Sequence, residues 1–253
     1  MQFNNLSELE NTLTYLKRED IKTATEPGRW QISAEFLDDI LNRLPNMDRL
    51  MVVVAAFDTV HERIGVVESV SVDDGSIRLT GKNHNAKIDA NRIAGIFFDT
   101  TSQMKDKTLP KLDFRNASDE TIFAMVGLEG LEPFAQAMDP LAKTSVPTLP
   151  KPSRENISNE EIDEDDPGNR FLQKLCDEKK SLTIEIAAPG VTQFWQGQIE
   201  AVRPMMGHVN IIQPDFHLHL PADKVASWVE NKRQWQALDS DGFHIGLTIE
   251  VTA

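Results

Sequence analysis

Three histidines in strand-like surroundings are the residues of this chain best suited to chemistry. His217 and His219 stand two apart in Phe216-His-Leu-His-Leu220, so on a strand they share one face. That is the arrangement of a metal-ligand pair. Two ligands do not make a site, no carboxylate spacing in the sequence completes it, and His219 is read as structural. His61 lies in Thr59-Val-His-Glu-Arg63. It is read either as a metal ligand or as a strand histidine bonded locally to Glu62 or Glu68. His84 sits in Lys82-Asn-His-Asn85, read as a surface turn, and His208 and His244 carry no motif.

Met205-Met206 and the aromatics Phe194, Trp195, Trp228 and Trp235 suit either a flat apolar cleft or core packing. Glycine-rich phosphate loops, Gly-x-Ser-x-Gly, His-Glu-x-x-His and paired cysteines are all absent. Nucleotide, serine-hydrolase and zinc-protease chemistry therefore have no support. Cys176, the single cysteine, falls in a helical pattern with no histidine or basic cluster beside it, which describes a structural thiol.

Composition narrows the partners. The formal charge is −14, opposite in sign to the field that replaces phosphate counterions, so nucleic acid is not expected as a partner. Seven of the acids crowd into Glu155–Asp166 without a base. No apolar run approaches the ~18 residues of a membrane span, so no membrane insertion is expected. The N-terminus lacks a basic start and an apolar core, and one cysteine suits a reducing compartment. The expected location is cytoplasmic.

The elements around these residues fall into two sets. Leu6–Arg18 reads as a polar helix with a leucine stripe. Ser33–Leu44 reads as a second helix, capped by Ser33, buried through Phe36, Leu37, Ile40, Leu41 and Leu44, and stopped by Pro45. Short extended segments follow, with Asp74-Gly75 as a hairpin turn and Glu132–Asp139 as a closing helix. Lys143–Gly168 is rich in Pro, Ser and acid and reads as a solvated linker. A helix near Asn169–Glu178 and further strands follow. Phe243–Val251 reads as the first strand of a terminal hairpin whose partner strand and closing helix are missing.

These two sets are copies. Leu50–Ile96 repeats as Leu182–Trp228 at a constant offset of 132 residues without a gap. Nine of the 47 positions are identical, among them Gly65 with Gly197 and Gly75 with Gly207. A period this long means a duplicated domain and not a solenoid. The expected class is α+β: two tandem repeats, each an antiparallel sheet with flanking helices. The boundaries are 1–142 for the first repeat, 143–168 for the linker, and 169–253 for a shortened second repeat.

Thr59-Val-His-Glu-Arg-Ile-Gly65 resembles the first repeat of the HemS/ChuS/ChuX haem-utilisation family. Ile199–Gly207, Asn210–Leu220 and Asp241–Glu250 resemble its second repeat. That family binds haem for transfer in the bacterial cytoplasm, and some members degrade it. The resemblance implies haem, or a similar hydrophobic anion, as cofactor and partner. His61 matches a family histidine proposed as a haem-iron ligand. Lys87 aligns with an arginine that contacts propionate, and Arg63 and Lys82 supplement it. Two departures stand against the likeness. The family's principal axial histidine lies on the helix opening the second repeat, where Asn169–Lys180 has none, and the last strands are expected to be missing.

Three readings follow: haem binding and transfer, a haem-free interaction or regulatory module that kept the fold, and haem degradation. Because Leu247–Val251 would be an unpaired edge, either coverage by the linker or a homodimer across it is expected.

Overall fold

The computed structural model describes residues 27–139, 141–150 and 162–252; the helix expected over Leu6–Arg18 lies outside them. The first half contributes β1 (Arg29–Ile32), helix α1 (Leu37–Arg43), β2 (Arg49–Ala56), β3 (Thr59–Val66), β4 (Ser69–Asp73), β5 (Ser76–Thr80), β6 (Asn85–Asp89) and β7 (Gly95–Asp99). A small hairpin follows, β8 (Gln103–Met104) with β9 (Lys107–Thr108). Then come β10 (Lys111–Arg115), β11 (Thr121–Gly127), helix α2 (Leu131–Met138) and β12 (Lys143–Val146). The second half opens with helix α3 (Pro167–Asp177), followed by β13 (Ser181–Ala188), β14 (Val191–Gly197), β15 (Val202–Met205), β16 (His208–Gln213) and β17 (Phe216–Pro221). It ends with β18 (Ser227–Asn231), β19 (Gln234–Leu238) and β20 (His244–Thr252).

Local chemistry sets these elements. In β2 the alternation of Leu50, Val52, Val54 and Ala56 buries one face, as a half-buried strand requires. Ile40, Leu41 and Leu44 give the helical stripe under α1, although Ser33 makes no side-chain cap. The turns Asp74-Gly75 and Met206-Gly207 both hold two positive φ values, 45° and 73° in one and 55° and 72° in the other. These are tight hairpin turns at equivalent positions of the two copies.

The strands form two large antiparallel sheets. One has the order β12-β1-β7-β10-β11-β2-β3-β17-β16-β15, the other β18-β19-β20-β13-β14-β6-β5-β4. The eight strands from β7 to β15 of the first reproduce the second, strand for strand: six correspond at the 132-residue offset, and β10 and β11 answer to β19 and β20 at a shorter one. Each half gives its three-strand meander to the other's sheet. β17 joins β3 with His217 opposite Glu62 and Leu218 opposite His61. β6 joins β14 with Ala86 opposite Gln193. The two sheets share a core that includes Val52, Val54, Ile184, Ile186, Phe216 and Leu218. The fold is mostly antiparallel sheet with a few helices, as the sequence leads one to expect.

Three expectations need correction. The terminal hairpin is present: its first strand is β19, and Phe243–Val251 supplies the second. Gln234-Trp-Gln-Ala-Leu238 alternates weakly and hides a strand. β20 is paired on both sides, with β13 and β19, so Leu247–Val251 is no open edge and the argument for covering it lapses. The stretch read as linker begins as a strand, since Lys143–Val146 pairs with β1.

Candidate functional site

His61 lies on the inner face of β3 and is fully buried. Its Nδ1 lies 3.0 Å from the amide nitrogen of Gln193, which also donates to the carbonyls of His61 and Val52 at 3.0 and 3.1 Å. Those two carbonyls require a donor, so the group facing His61 is the –NH2. The imidazole therefore accepts at Nδ1 and carries its proton on Nε2, which has no partner. The Phe216 ring covers His61 at 4.9 Å. Burial, and then the charge of Arg63, pull the imidazole pKa down to about 3. It is a neutral core histidine with no bond to Glu62 or Glu68.

Arg63 is also inward, donating from Nε to the Asn83 carbonyl at 2.7 Å and pairing with Asp215 at 3.4 Å. Burial lowers it to about 10, with Asp215 opposing. Next to it His84 is buried, not on the surface as expected, with Nε2 3.0 Å from the Gly65 carbonyl. The polar neighbours of His84 suggested a turn, but the exchanged meander tucks it between sheets. Lys87 does not join this group. It is exposed on the other face of β6, opposite Arg78 and Thr192. The structure thus brings His61 and Arg63 close and sends Lys87 elsewhere.

A cleft of about 410 Å³ opens between α3 and the edge of the second sheet. Phe171, Leu175, Trp235 and Val251 supply its apolar wall, and Lys174, Lys180 and Arg233 ring it with positive charge beside Glu178 and Glu230. Phe171 stacks on Trp228 at 4.3 Å and leans on Trp235 at 5.1 Å. Of the aromatics singled out in the sequence, Trp235 faces this cleft, whereas Trp195 is core, stacked on Phe216. Met205 and Met206 stand exposed on their hairpin. Cys176 is half-buried on α3, and burial followed by Asp177 raises its thiol pKa, consistent with an inert thiol.

α3 is held by its N-terminus. Asp166 caps it, accepting from the Asn169 amide at 2.7 Å through Oδ1 and from the Asp223 amide at 2.9 Å through Oδ2. The Trp228 indole donates to the Pro167 carbonyl at 3.1 Å. Asp166 belongs to the acidic run read as a solvated spacer, yet it is buried.

On the outer face of the first sheet, Glu62 completes the histidine pair that sequence left at two. His217 Nδ1 lies 2.9 Å and His219 Nε2 3.7 Å from Glu62 Oε2. The carboxylate is 155 residues away from His217 in the chain, so no local motif reveals it. Burial alone pushes the Glu62 carboxyl up, but the contacts with His217 and then His219 outweigh it and bring it to about 2.

The architecture decides the likeness. ChuS, the heme degrading enzyme of Escherichia coli O157:H7, superposes with a TM-score of 0.70 over 89% of this chain and 82% of its own, at 13% identity. Apo-PhuS, a heme-binding protein from Pseudomonas aeruginosa, gives 0.69 over 89% and 82% at 12% identity. This chain has the ChuS and PhuS fold. No family model and no curated protein matches the sequence. Among the described residues no helix is long and apolar enough to cross a membrane.

Proposed function

We propose that the protein binds haem or a similar flat hydrophobic anion in the cleft under α3 and passes it on, acting in the cytoplasm. The carrying observation is the lining itself: a Phe171–Trp235 wall to stack on the macrocycle, with Lys174, Lys180 and Arg233 at its rim to pair with propionates. The same helix is where the ChuS-type resemblance expects the principal axial ligand. The similar structures include a heme-binding protein and a heme degrading enzyme.

The fit is to the organic part of haem. The cleft lining holds no imidazole or thiolate for iron. His61 offers an unpartnered Nε2, but Phe216 and Gln193 close over its ring. When bound, haem would bring redox-active iron. What this chain's residues do is stack, neutralise charge and exclude water. That favours holding and transfer over degradation.

A haemin titration of the full chain, followed by the Soret band, tests this. The expected result is a saturable one-to-one band that Trp235→Ala and Lys174→Ala/Arg233→Ala each weaken about tenfold, one or two lost contacts of roughly 1.4 kcal/mol in total. His61→Ala should leave it unchanged. Dependence on His61 alone would move the site to the first repeat. Absence of any saturable band would favour the haem-free interaction module, which the lack of an iron ligand in the cleft also supports.

A further inference from the structure

The Glu62–His217–His219 cluster lies away from the cleft and is not used by the haem reading. Its three ligand atoms all lie within 4.8 Å of one another. Their side chains are 14%, 25% and 29% exposed, so the group is sheltered but still open to solvent.

The orientation of His219 is fixed from behind. The Asn210 amide nitrogen donates to the carbonyls of Arg203, Met205 and His208 at 3.1, 3.1 and 2.8 Å, which can only be the –NH2. Asn210 Oδ1 therefore faces His219 Nδ1 at 2.6 Å and must accept its proton. A neutral His219 thereby turns its Nε2 lone pair to the Glu62 side. A lone pair facing a carboxylate oxygen calls for a proton or a metal ion between them. The amide behind the imidazole is the outer-shell partner that metal-binding histidines commonly have.

The residues directly opposite the three ligands across the neighbouring strands include apolar ones. The strand partners of the three residues on this face are Val53 opposite Glu62, Val60 opposite His219 and Ile212 opposite His217. For a tetrahedral ion with ligands at about 2.0–2.2 Å, neighbouring donor atoms sit about 3.3–3.6 Å apart. The two separations from Glu62, 2.9 and 3.7 Å, straddle that range, and the two imidazole nitrogens lie within 4.8 Å of each other. The offset of 132 places Phe194, Asn85 and Lys87 at the equivalent positions of the other half, and these cannot form such a set. The cluster is peculiar to one copy and is not a by-product of the duplication.

We propose that Glu62, His217 and His219 bind a first-row divalent transition-metal ion, with Zn2+ foremost. His217 Nδ1, His219 Nε2 and one Glu62 oxygen are the protein ligands. Two imidazoles and one carboxylate select Zn2+ and its neighbours over Mg2+ or Ca2+, which take oxygen. Three protein ligands leave at least one position for water or an exchangeable oxygen donor.

The test uses the full chain, stripped with a chelator and titrated calorimetrically with Zn2+ in the absence of haem. One equivalent should bind, and Mg2+ should not compete. His217→Ala and His219→Ala should each weaken Zn2+ about 100-fold, and Asn210→Ala about tenfold through the tautomer it sets. His208→Ala, next to the cluster but outside it, should bind as wild type. Co2+ should give visible ligand-field bands without a thiolate charge-transfer band, since Cys176 is elsewhere. Circular dichroism confirms folding of each variant, and Glu62→Gln repeats the ligand test with the side-chain shape retained. No saturable Zn2+ binding, or His217→Ala and His219→Ala binding as tightly as wild type, would overturn the proposal.

Discussion

His61 and Gln193 occupy the same position in the two copies, 132 residues apart, and they touch at 3.0 Å. Two equivalent points of a twofold arrangement meet only at the axis, so the axis relating the halves passes between these side chains. A symmetric pair of identical chains would have to place two identical groups there. Duplication lets the halves diverge, and here one presents a donor amide and the other an acceptor ring. The same freedom makes the neighbouring pair unequal. Trp195 and Phe216 stack at 4.5 Å where their counterparts Arg63 and His84 are polar.

Removing the amide should therefore be costly. In Gln193→Ala the buried carbonyls of Val52 and His61 both lose their side-chain donor. The expected loss is about 1–3 kcal/mol, two hydrogen bonds at about 0.5–1.5 each, since both carbonyls lie on strands paired on either side. Gln193→Glu should be worse, because it faces those carbonyls with a carboxylate. Urea unfolding midpoints measure both, and a Gln193→Ala midpoint equal to wild type would mean that water replaces the amide.

The depressed His61 pKa fixes a pH dependence. The folded state keeps His61 neutral down to about 3, whereas the unfolded chain takes up the proton near 6.5. The unfolded state thus binds more protons between these values. The stability is fully present above pH 6.5 and is lost as pH falls. Between pH 6.5 and 5 the loss from this one group is about 2 kcal/mol. His84, lowered mainly by burial, acts in the same direction. His61→Gln should flatten the stability profile in this window, above the range where Glu62 titrates. An unchanged slope in the variant would show that His61 is solvated.

Gly246 limits how closely the halves approach. Its φ is +80°, and a Cβ there would collide with the Ala187 carbonyl oxygen and crowd the Ala56 methyl. Gly246→Ala combines a left-handed conformation with a backbone collision, and neither neighbour is a flexible side-chain end. At least ~2 kcal/mol of destabilisation is expected. A melting temperature within a degree of wild type would contradict this packing.

The parts of the molecule legible in the sequence are those specified locally. The β2 alternation, the Asp74-Gly75 turn and α1 are short-range patterns, and each has its counterpart in the structure. The strand exchange depends on pairing between distant segments and leaves no local trace. It is the exchange that buries His84, turns Lys87 away from His61 and sets Glu62 opposite His217. Because side-chain period in a strand is two, Glu62 and His61 face opposite sides of one sheet. Thr59-Val-His-Glu-Arg63 therefore serves two sites, the core and the outer cluster. The cleft was foreshadowed only by Trp235, since Phe171 and Lys174 meet it through the docking of α3.

That docking is the last feature to test. Asp166 joins three segments: it caps α3, holds the Asp223 loop, and lies beside Pro167, whose carbonyl receives the Trp228 indole. Gly168 then lies against Leu220, where a Cβ would come within 2.8 Å of the leucine methyl. Loss of the cap costs about 1 kcal/mol, and the orphaned Asp223 amide adds about 1–2. Asp166→Ala should therefore destabilise the protein by about 2–3 kcal/mol. It should also weaken haemin, because α3 carries the Phe171 and Lys174 wall of the cleft. Asp166→Asn keeps an acceptor at the cap and should recover most of the stability. Haemin affinity that recovers in step would tie the cleft to the seating of α3. Affinity indifferent to both variants would show that the ligand binds somewhere α3 does not reach.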